Sequence, residues 1–352
     1  MRVVITGATG NVGTSLVEAL ASDHGVDSIL GLARRPPATW RPRKVEWAAA
    51  DVVTADLVSL FRGADAVVHL AWLIQPSHDL DVLRAVNVDG SHRVFRAVAE
   101  AGVPALVYAS SVGAYSPGPK DRPVDETWPT AGIDSSFYAR HKAEVERLLD
   151  SFEADYPGIR VVRMRPGLIF KREAASGIRR LFFGPLVPTR LLRPSWIPVV
   201  PRVDRLVFQC LHTSDVAEAY RLAVTGDVHG AFNVAADPVL DGNELARALG
   251  AKPLPVPGVA LRVLADVTWR AHLQPTPSGW VDMALSVPIL STAKARQELG
   301  WAPRYSSHEA LLDLLEGLAD ACEGPTPALA RRFAQPELRE LQRREAGAAF
   351  TS

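Results

Sequence analysis

Met1-Arg2-Val3-Val4-Ile5-Thr6-Gly7-Ala8-Thr9-Gly10-Asn11-Val12-Gly13 opens the chain, and its reading decides the fold. Val3–Thr6 is a short β-branched run that ends directly on a glycine. From Val12 to Ala21 the apolar residues return at helical spacing. Glycine admits positive φ and lets the backbone come close to a ligand. The helix that follows presents free N–H groups and a positive dipole end to a pyrophosphate. The spacing is GxxGxxG. On its own such a pattern is a tight turn, but a strand before it and a helix after it make it a dinucleotide-binding turn. Gly7, Thr9, Gly10, Asn11, Val12 and Gly13 are the candidate contacts.

Outward from this turn, strand patterns at Val3–Thr6, Ser28–Leu32, Val45–Ala48, Ala66–Leu70, Ala105–Ala109 and Arg160–Met164 alternate with helical ones at Val12–Ala21, Asp56–Arg62, Val88–Ala101 and Ser136–Glu153. Strands alternating with helices predict a parallel sheet covered on both faces, and right-handed crossovers make it an α/β, Rossmann-type, doubly wound fold. The style returns at 206–235, with strands at Leu206–Leu211 and Ala231–Ala235 around a helix at Ser214–Thr225. Residues 1–170 and 206–235 are therefore expected to form the dinucleotide-binding domain. Residues 171–205 and 236–320 are expected to form a smaller, mostly helical substrate domain with a proline-rich break at Lys252–Gly258. Residues 321–352 read as a charged, solvated tail.

Composition narrows the function classes. The 352 residues carry 39 Lys+Arg against 39 Asp+Glu, so no global field for nucleic acid or membrane is expected. The two cysteines, Cys210 and Cys322, form no CxxC pair, and no metal site is expected. A reducing cytoplasm is the expected setting. No segment offers the apolar length of a membrane span, and the opening apolar run is too short for a signal peptide.

The second strand ends Leu32-Ala33-Arg34-Arg35, without the carboxylate that usually holds an NAD ribose. Arginine there suits a 2′-phosphate, so NADP(H) is favoured and NAD(H) is the alternative. Asp51, after the third strand, is placed to bond the adenine amino group, with Val52 beside it. Tyr138 and Lys142 lie four apart on a predicted helix and so share a face. A cation near a phenol favours its ionised form and readies it for proton exchange with a substrate oxygen. By chance one YxxxK is expected about 0.1 times in such a chain, so position must support the motif. It follows the fifth strand, whose end carries Ser110 and Ser111. Ser111 is the candidate to bond a substrate carbonyl, and Ser110 is the fallback.

The ordered segments TGATGNVG (6–13), AAAD (48–51), HLA (69–71), NVDGS (87–91), YASSVGAY (108–115), YARHK (138–142), RPGLIF (165–170), LHTSDVA (211–217), FNVA (232–235) and ELGWAPR (298–304) resemble the extended short-chain dehydrogenase/reductase, or NAD-dependent epimerase/dehydratase, family. The resemblance implies Tyr138 as general acid/base, Lys142 as its partner and Ser111 on the reacting oxygen. It implies Leu70 and Ala71 beside the cofactor, Asn87 supporting the site and Pro166 near the nicotinamide. It also implies a homodimer through the Val88–Ala101 and Ser136–Glu153 helices. His212 and Asp215 match a largely structural segment.

Three departures bear on the substrate. Val112 and Gly113 stand where the family's dehydratases carry Asp-Glu. Phe208 stands where nucleotide-sugar enzymes carry an arginine. Trp72 replaces a small residue and is expected to narrow the pocket. The leading expectation is a reductase or dehydrogenase acting on a small molecule with a carbonyl or hydroxyl group. The alternatives are a sugar or nucleotide-sugar epimerase and a non-catalytic NADP(H)-sensing regulator. Residues 171–205 hold eight basic side chains (Lys171, Arg172, Arg179, Arg180, Arg190, Arg193, Arg202 and Arg205) among large apolar ones. They read either as a lid over an apolar substrate with an anionic tail, as a membrane-touching surface, or as a solvated basic loop. Trp269 and Trp280 each read as core.

Overall fold

The computed structural model describes residues 1–184 and 188–330. The expected tail from 331 onward lies outside the described residues. Seven strands form one parallel sheet: β1 (Arg2–Thr6), β2 (Ser28–Ala33), β3 (Val45–Ala49), β4 (Ala66–His69), β5 (Ala105–Ala109), β6 (Arg160–Pro166) and β7 (Gly230–Val234), in the order β7-β6-β5-β4-β1-β2-β3. This is the doubly wound Rossmann-type sheet expected from the alternation. Its order reverses between β1 and β4, where neighbouring crossovers leave to opposite sides and open a crevice at the strand ends.

The near-continuous apolar run of β1 follows from burial on both faces. Val3 and Ile5 pack on one side with Leu16, Val17 and Leu20 of α1 (Asn11–Ser22). Val4 packs on the other with Leu57 and Phe61 of α2 (Leu57–Phe61) and Val94 and Val98 of α3 (Gly90–Glu100). Val145 and Leu149 of α4 (Phe137–Asp155) close that second face. The Ser136 hydroxyl accepts from the Ala139 N–H at 3.3 Å and so starts α4 two residues before Tyr138. The family-like helix Thr213–Thr225, α5, lies against α1 on the first face.

The substrate side departs from expectation in four places. The strand expected over Leu206–Leu211 is shortened to Cys210–His212, which pairs with Leu168–Phe170 outside the main sheet. Arg205 takes φ 65 and Leu206 N–H bonds Val203 C=O at 3.1 Å, so the chain is still turning where the pattern reads strand. The proline-rich Lys252–Pro255 is a strand rather than a break, paired with Val199–Arg202 in a separate two-stranded sheet. Such a pair is all edge, where proline's missing donor is tolerated.

The basic segment is mostly built into the structure. Lys171 is buried and donates to the hydroxyls of Thr14 and Ser15. Arg172 pairs with Glu316 and Asp320, and Arg193 pairs with Asp320. Arg180 donates to the carbonyls of Ala328 and Ala330.

Residues 322–330, expected to begin a solvated tail, are docked instead. Thr326 and Leu329 are buried, and Ser176 donates to Cys322 C=O at 2.6 Å. We call this segment the strap. An apolar residue, Leu329, gives it a seat against Gly324 that charge counting over the whole tail conceals.

Candidate active site

The Gly7–Gly13 turn sits at the crevice between β1 and β4. Gly7 has φ +73, and a Cβ there would lie 2.7 Å from the Ala71 nitrogen at the end of β4. A Cβ on Gly13 would lie 2.5 Å from the Gly7 carbonyl. Both positions exclude any side chain, and the turn is held with its backbone open to the crevice. The cleft that results is lined by Gly7, Thr9 and Gly10, by Arg34 and Arg35 after β2, by Asp51 and Val52 after β3, and by Leu70, Ala71 and Trp72 after β4. Pro327 and Ala328 of the strap form a further wall. The Thr326 hydroxyl donates to the Thr9 carbonyl at 2.7 Å in a buried contact. A turn that only glycine can make, two arginines and an acid at the far end are the parts a pyrophosphate and an adenosine require, so the residues present fit a dinucleotide.

Not every predicted contact reaches this cleft. The Asn11 amide donates to Ile169 C=O at 3.2 Å and its oxygen accepts from Thr213. That ties the turn to the segment after β6, and the side chain does not line the cleft. Val12 and Gly13 lie behind the turn in α1. The Ser110 hydroxyl donates to Glu146 at 2.5 Å and so is engaged beneath the rim. Asn87 both donates to and accepts from the Leu73 backbone, at 2.8 and 2.7 Å, so it supports the loop after β4. Pro166 is the buried last residue of β6, paired with Val234. Pro327 and Ala328 were missed by sequence reading, since they lie outside every recognised motif.

The catalytic candidates gather at the end of β5. Ser111 accepts from the Gly113 N–H at 3.0 Å at the end of β5. Lys142 donates to Ala109 C=O at 2.6 Å and approaches the Tyr108 hydroxyl at 3.4 Å. Its ammonium lies 3.4 Å from the centroid of the Trp72 ring and 5.9 Å from that of Tyr138. Burial raises the Tyr138 pKa above the usual phenol value, and the Ser111 hydrogen bond opposes this. Burial also pushes Lys142 well below its usual range, with the Glu146 charge pulling it back up. The phenol therefore keeps its proton at neutral pH.

Beneath Lys142 is a buried charge network that sequence reading did not find. Glu146 binds Ser110, Arg163 at 2.9 Å and two nitrogens of the Arg165 guanidinium, both at 2.9 Å. Burial pushes this carboxyl up, yet the Arg165 hydrogen bonds and the two arginine charges overcome it and hold it down at about 2. The signal was present in the sequence: Glu146 lies four residues after Lys142 on the same helix face.

Rings enclose the phenol. Tyr138 lies 4.8 Å from Trp280 and 5.8 Å from Trp72, and Phe182 meets Trp280 edge-on at 5.1 Å. A Cβ on Gly113 would be 2.9 Å from Tyr138 and 3.1 Å from the Met283 sulfur.

Comparison with known proteins places this geometry. The family model described as the NAD dependent epimerase/dehydratase family matches residues 3–235. An uncharacterised protein of Mycobacterium tuberculosis is 29% identical over 316 residues, which is 89% of this chain and 29% of that protein. The chain thus spans under a third of that relative's length. The L-arabinose 1-dehydrogenase (NAD(P)(+)) of Haloferax volcanii is 31% identical over 208 residues, 56% of this chain and 77% of its own. The solved UDP-glucose 4-epimerase of Thermus thermophilus, in complex with NAD, superposes with a TM-score of 0.67 at 24% identity, covering 91% of this chain and 100% of that one. That likeness is one of fold.

Proposed function

The chain belongs to the NAD-dependent epimerase/dehydratase family, and on that premise we propose that it is a carbonyl reductase or alcohol dehydrogenase that uses NADP(H) in preference to NAD(H). One observation carries the reading: a desolvated, protonated Tyr138 lies beside Lys142 at the rim of the sheet, with the Ser111 hydroxyl opposing the effect of burial on the phenol. When bound, a nicotinamide dinucleotide supplies the electron pair for reduction or accepts it in oxidation. Ser111 orients the substrate oxygen by donating a hydrogen bond to it. Tyr138 donates its proton to that oxygen as negative charge develops there. Lys142 offers its cation to the phenolate that remains, and Glu146 opposes the burial that would neutralise that cation. Val112 and Gly113 carry no acid or base, so nothing beside Ser111 serves elimination of water. Arg34 and Arg35 support the NADP(H) preference. We extend the proposal to a homodimer through α3 and α4, to be tested by sedimentation across concentration.

The test is consumption of NADPH with a panel of ketones and aldehydes, repeated with Tyr138→Phe and Ser111→Ala. The expected result is turnover by the parent chain and its loss in both variants. Interconversion of sugar epimers with no net change in the nucleotide would establish the epimerase alternative in its place.

A further inference from the structure

From the rings that enclose Tyr138, and given the reductase reading above, we infer that Trp72 and Trp280 form a substrate clamp. The compound this site reduces is an uncharged aromatic or alicyclic ketone or aldehyde with a further hydrogen-bond acceptor, and not a nucleotide sugar. Three observations lead there.

The ground around the phenol is apolar. Val112, Ile133, Met283 and Val287 form one cluster with Tyr138 and Trp280 packed against it. Flat apolar walls bind flat or ring-shaped apolar ligands with offset or edge-on contacts.

The indole nitrogens of Trp72 and Trp280 are buried and bond to no described residue. A buried donor without a partner costs about 1–3 kcal/mol, and a ligand acceptor relieves that cost. Two such donors flanking one phenol match a ring that carries an oxygen besides its carbonyl.

Four of the basic side chains beyond β6 that could meet a nucleotide diphosphate are engaged elsewhere. Arg172 and Arg193 are paired with carboxylates, Lys171 with hydroxyls, and Arg205 with the Gly118 carbonyl. Phe208 stands apart from the phenol, bridged to Leu240, and offers no charge.

The walls are held in place by a set of backbone ties. Gln75 donates to the carbonyls of Leu181 and Pro275, both at 2.9 Å. Ser77 donates to Pro275 C=O at 2.7 Å and accepts from the Trp269 indole at 3.0 Å. Thr276 donates to Phe182 C=O at 2.8 Å. The loop after β4, the Phe182 turn and the approach to Trp280 are thus tied to one another. In the reaction a bound dihydronicotinamide would give up a hydride, its C–H bond breaking and its ring being oxidised, a C–H bond would form at the carbonyl carbon, and the C=O π pair would pass to the oxygen. An O–H bond forms with the Tyr138 proton, and the phenol is reprotonated from solvent.

Two readouts on the full chain test this. In the first, kcat/KM with NADPH is measured for an aryl ketone, a cyclic ketone, a short aliphatic aldehyde and UDP-glucose. The ring compounds are expected to exceed the aliphatic aldehyde by roughly 100-fold, with UDP-glucose unconverted. Trp280→Ala and Trp72→Ala are each expected to lower the ring-over-aliphatic ratio at least about 10-fold. In the second, benzyl alcohol and ethanol are titrated calorimetrically without nucleotide. Saturable binding of benzyl alcohol alone, weakened in Trp280→Ala, is the expected result. Equal turnover of ring and aliphatic compounds, or unaltered ratios in the variants, overturns the clamp and leaves the reductase reading standing. Calorimetric binding without any carbonyl turnover sustains the clamp and overturns the reductase reading. Absence of both, or conversion of UDP-glucose, overturns the clamp.

Discussion

The two ends of the crevice are built by different means. At the adenosine end the walls are glycine backbone, two arginines and an aspartate, and most of the contacts come from strand ends. At the catalytic end the phenol lies among indole, phenyl and thioether groups carried by the loop after β4 and by segments beyond residue 180. Trp72 stands at the boundary, lining the open cleft on one side and holding the Lys142 ammonium on the other. The lesson is that one end is built from fixed backbone and charged side chains, whereas the other is walled by large apolar side chains.

That contrast can be broken most sharply at Tyr138. Tyr138→Phe is expected to lower kcat roughly 10²–10⁴-fold, while the affinity for the adenosine fragment 2′,5′-ADP stays as in the parent. A parallel loss of 2′,5′-ADP binding would mean that the two ends are not separate.

The buried network under Lys142 gives the next largest effect. Glu146→Gln leaves Arg163 and Arg165 buried without their shared carboxylate, and denaturant unfolding is expected to show a loss of about 3–5 kcal/mol. The parent should also be acid-labile in two stages. His69 is held neutral by burial and by the Lys142 charge, with its pKa pushed down to about 3 from an ordinary 6.5. Glu146 lies at about 2 against an ordinary 4.5. Both folded values are lower than the unfolded ones, so the unfolded chain binds more protons in acid. Stability is then present at neutral pH, begins to fall below about 6.5, and falls more steeply below about 4.5. In Glu146→Gln the second stage should be shallower. Melting temperature measured across pH checks both.

At the adenosine end, Arg35→Glu is expected to reverse the nucleotide preference. The ratio of Kd values for NADPH and NADH should change by roughly 10–100-fold, in line with a charge-assisted contact replaced by repulsion. The smallest effect is expected from Thr326→Val. Loss of one buried hydrogen bond to Thr9 should weaken NADPH binding by about 1 kcal/mol, measurable as a several-fold rise in Kd.

These effects also mark what the sequence discloses. The sheet and its turn are legible because β1, Gly7 and α1 are neighbours in the chain, and each local signal agrees with the fold. Tyr138, Lys142 and Ser111 are legible because a helical turn and a strand end bring them to one rim. The side-chain partners of Asn11 and Ser110 were not legible, because Ile169 and Glu146, which engage them, are distant in sequence. Trp280 reads as ordinary core because nothing in its spacing indicates that Tyr138 and Phe182, distant in sequence, will fold against it. The basic run at 171–205 reads as a lid, a membrane-touching surface or a solvated basic loop. Its side chains point to partners as separate as Thr14 and Asp320, and no local pattern encodes that.

The strap carries a consequence for how the protein is made. The carbonyl of Thr9, in the turn after β1, receives its hydrogen bond from a residue 317 positions later. One wall of the nucleotide's berth is therefore missing until synthesis has passed Ala328. A nascent chain can assemble its sheet before that point, yet the cleft stays one wall short until the strap has docked.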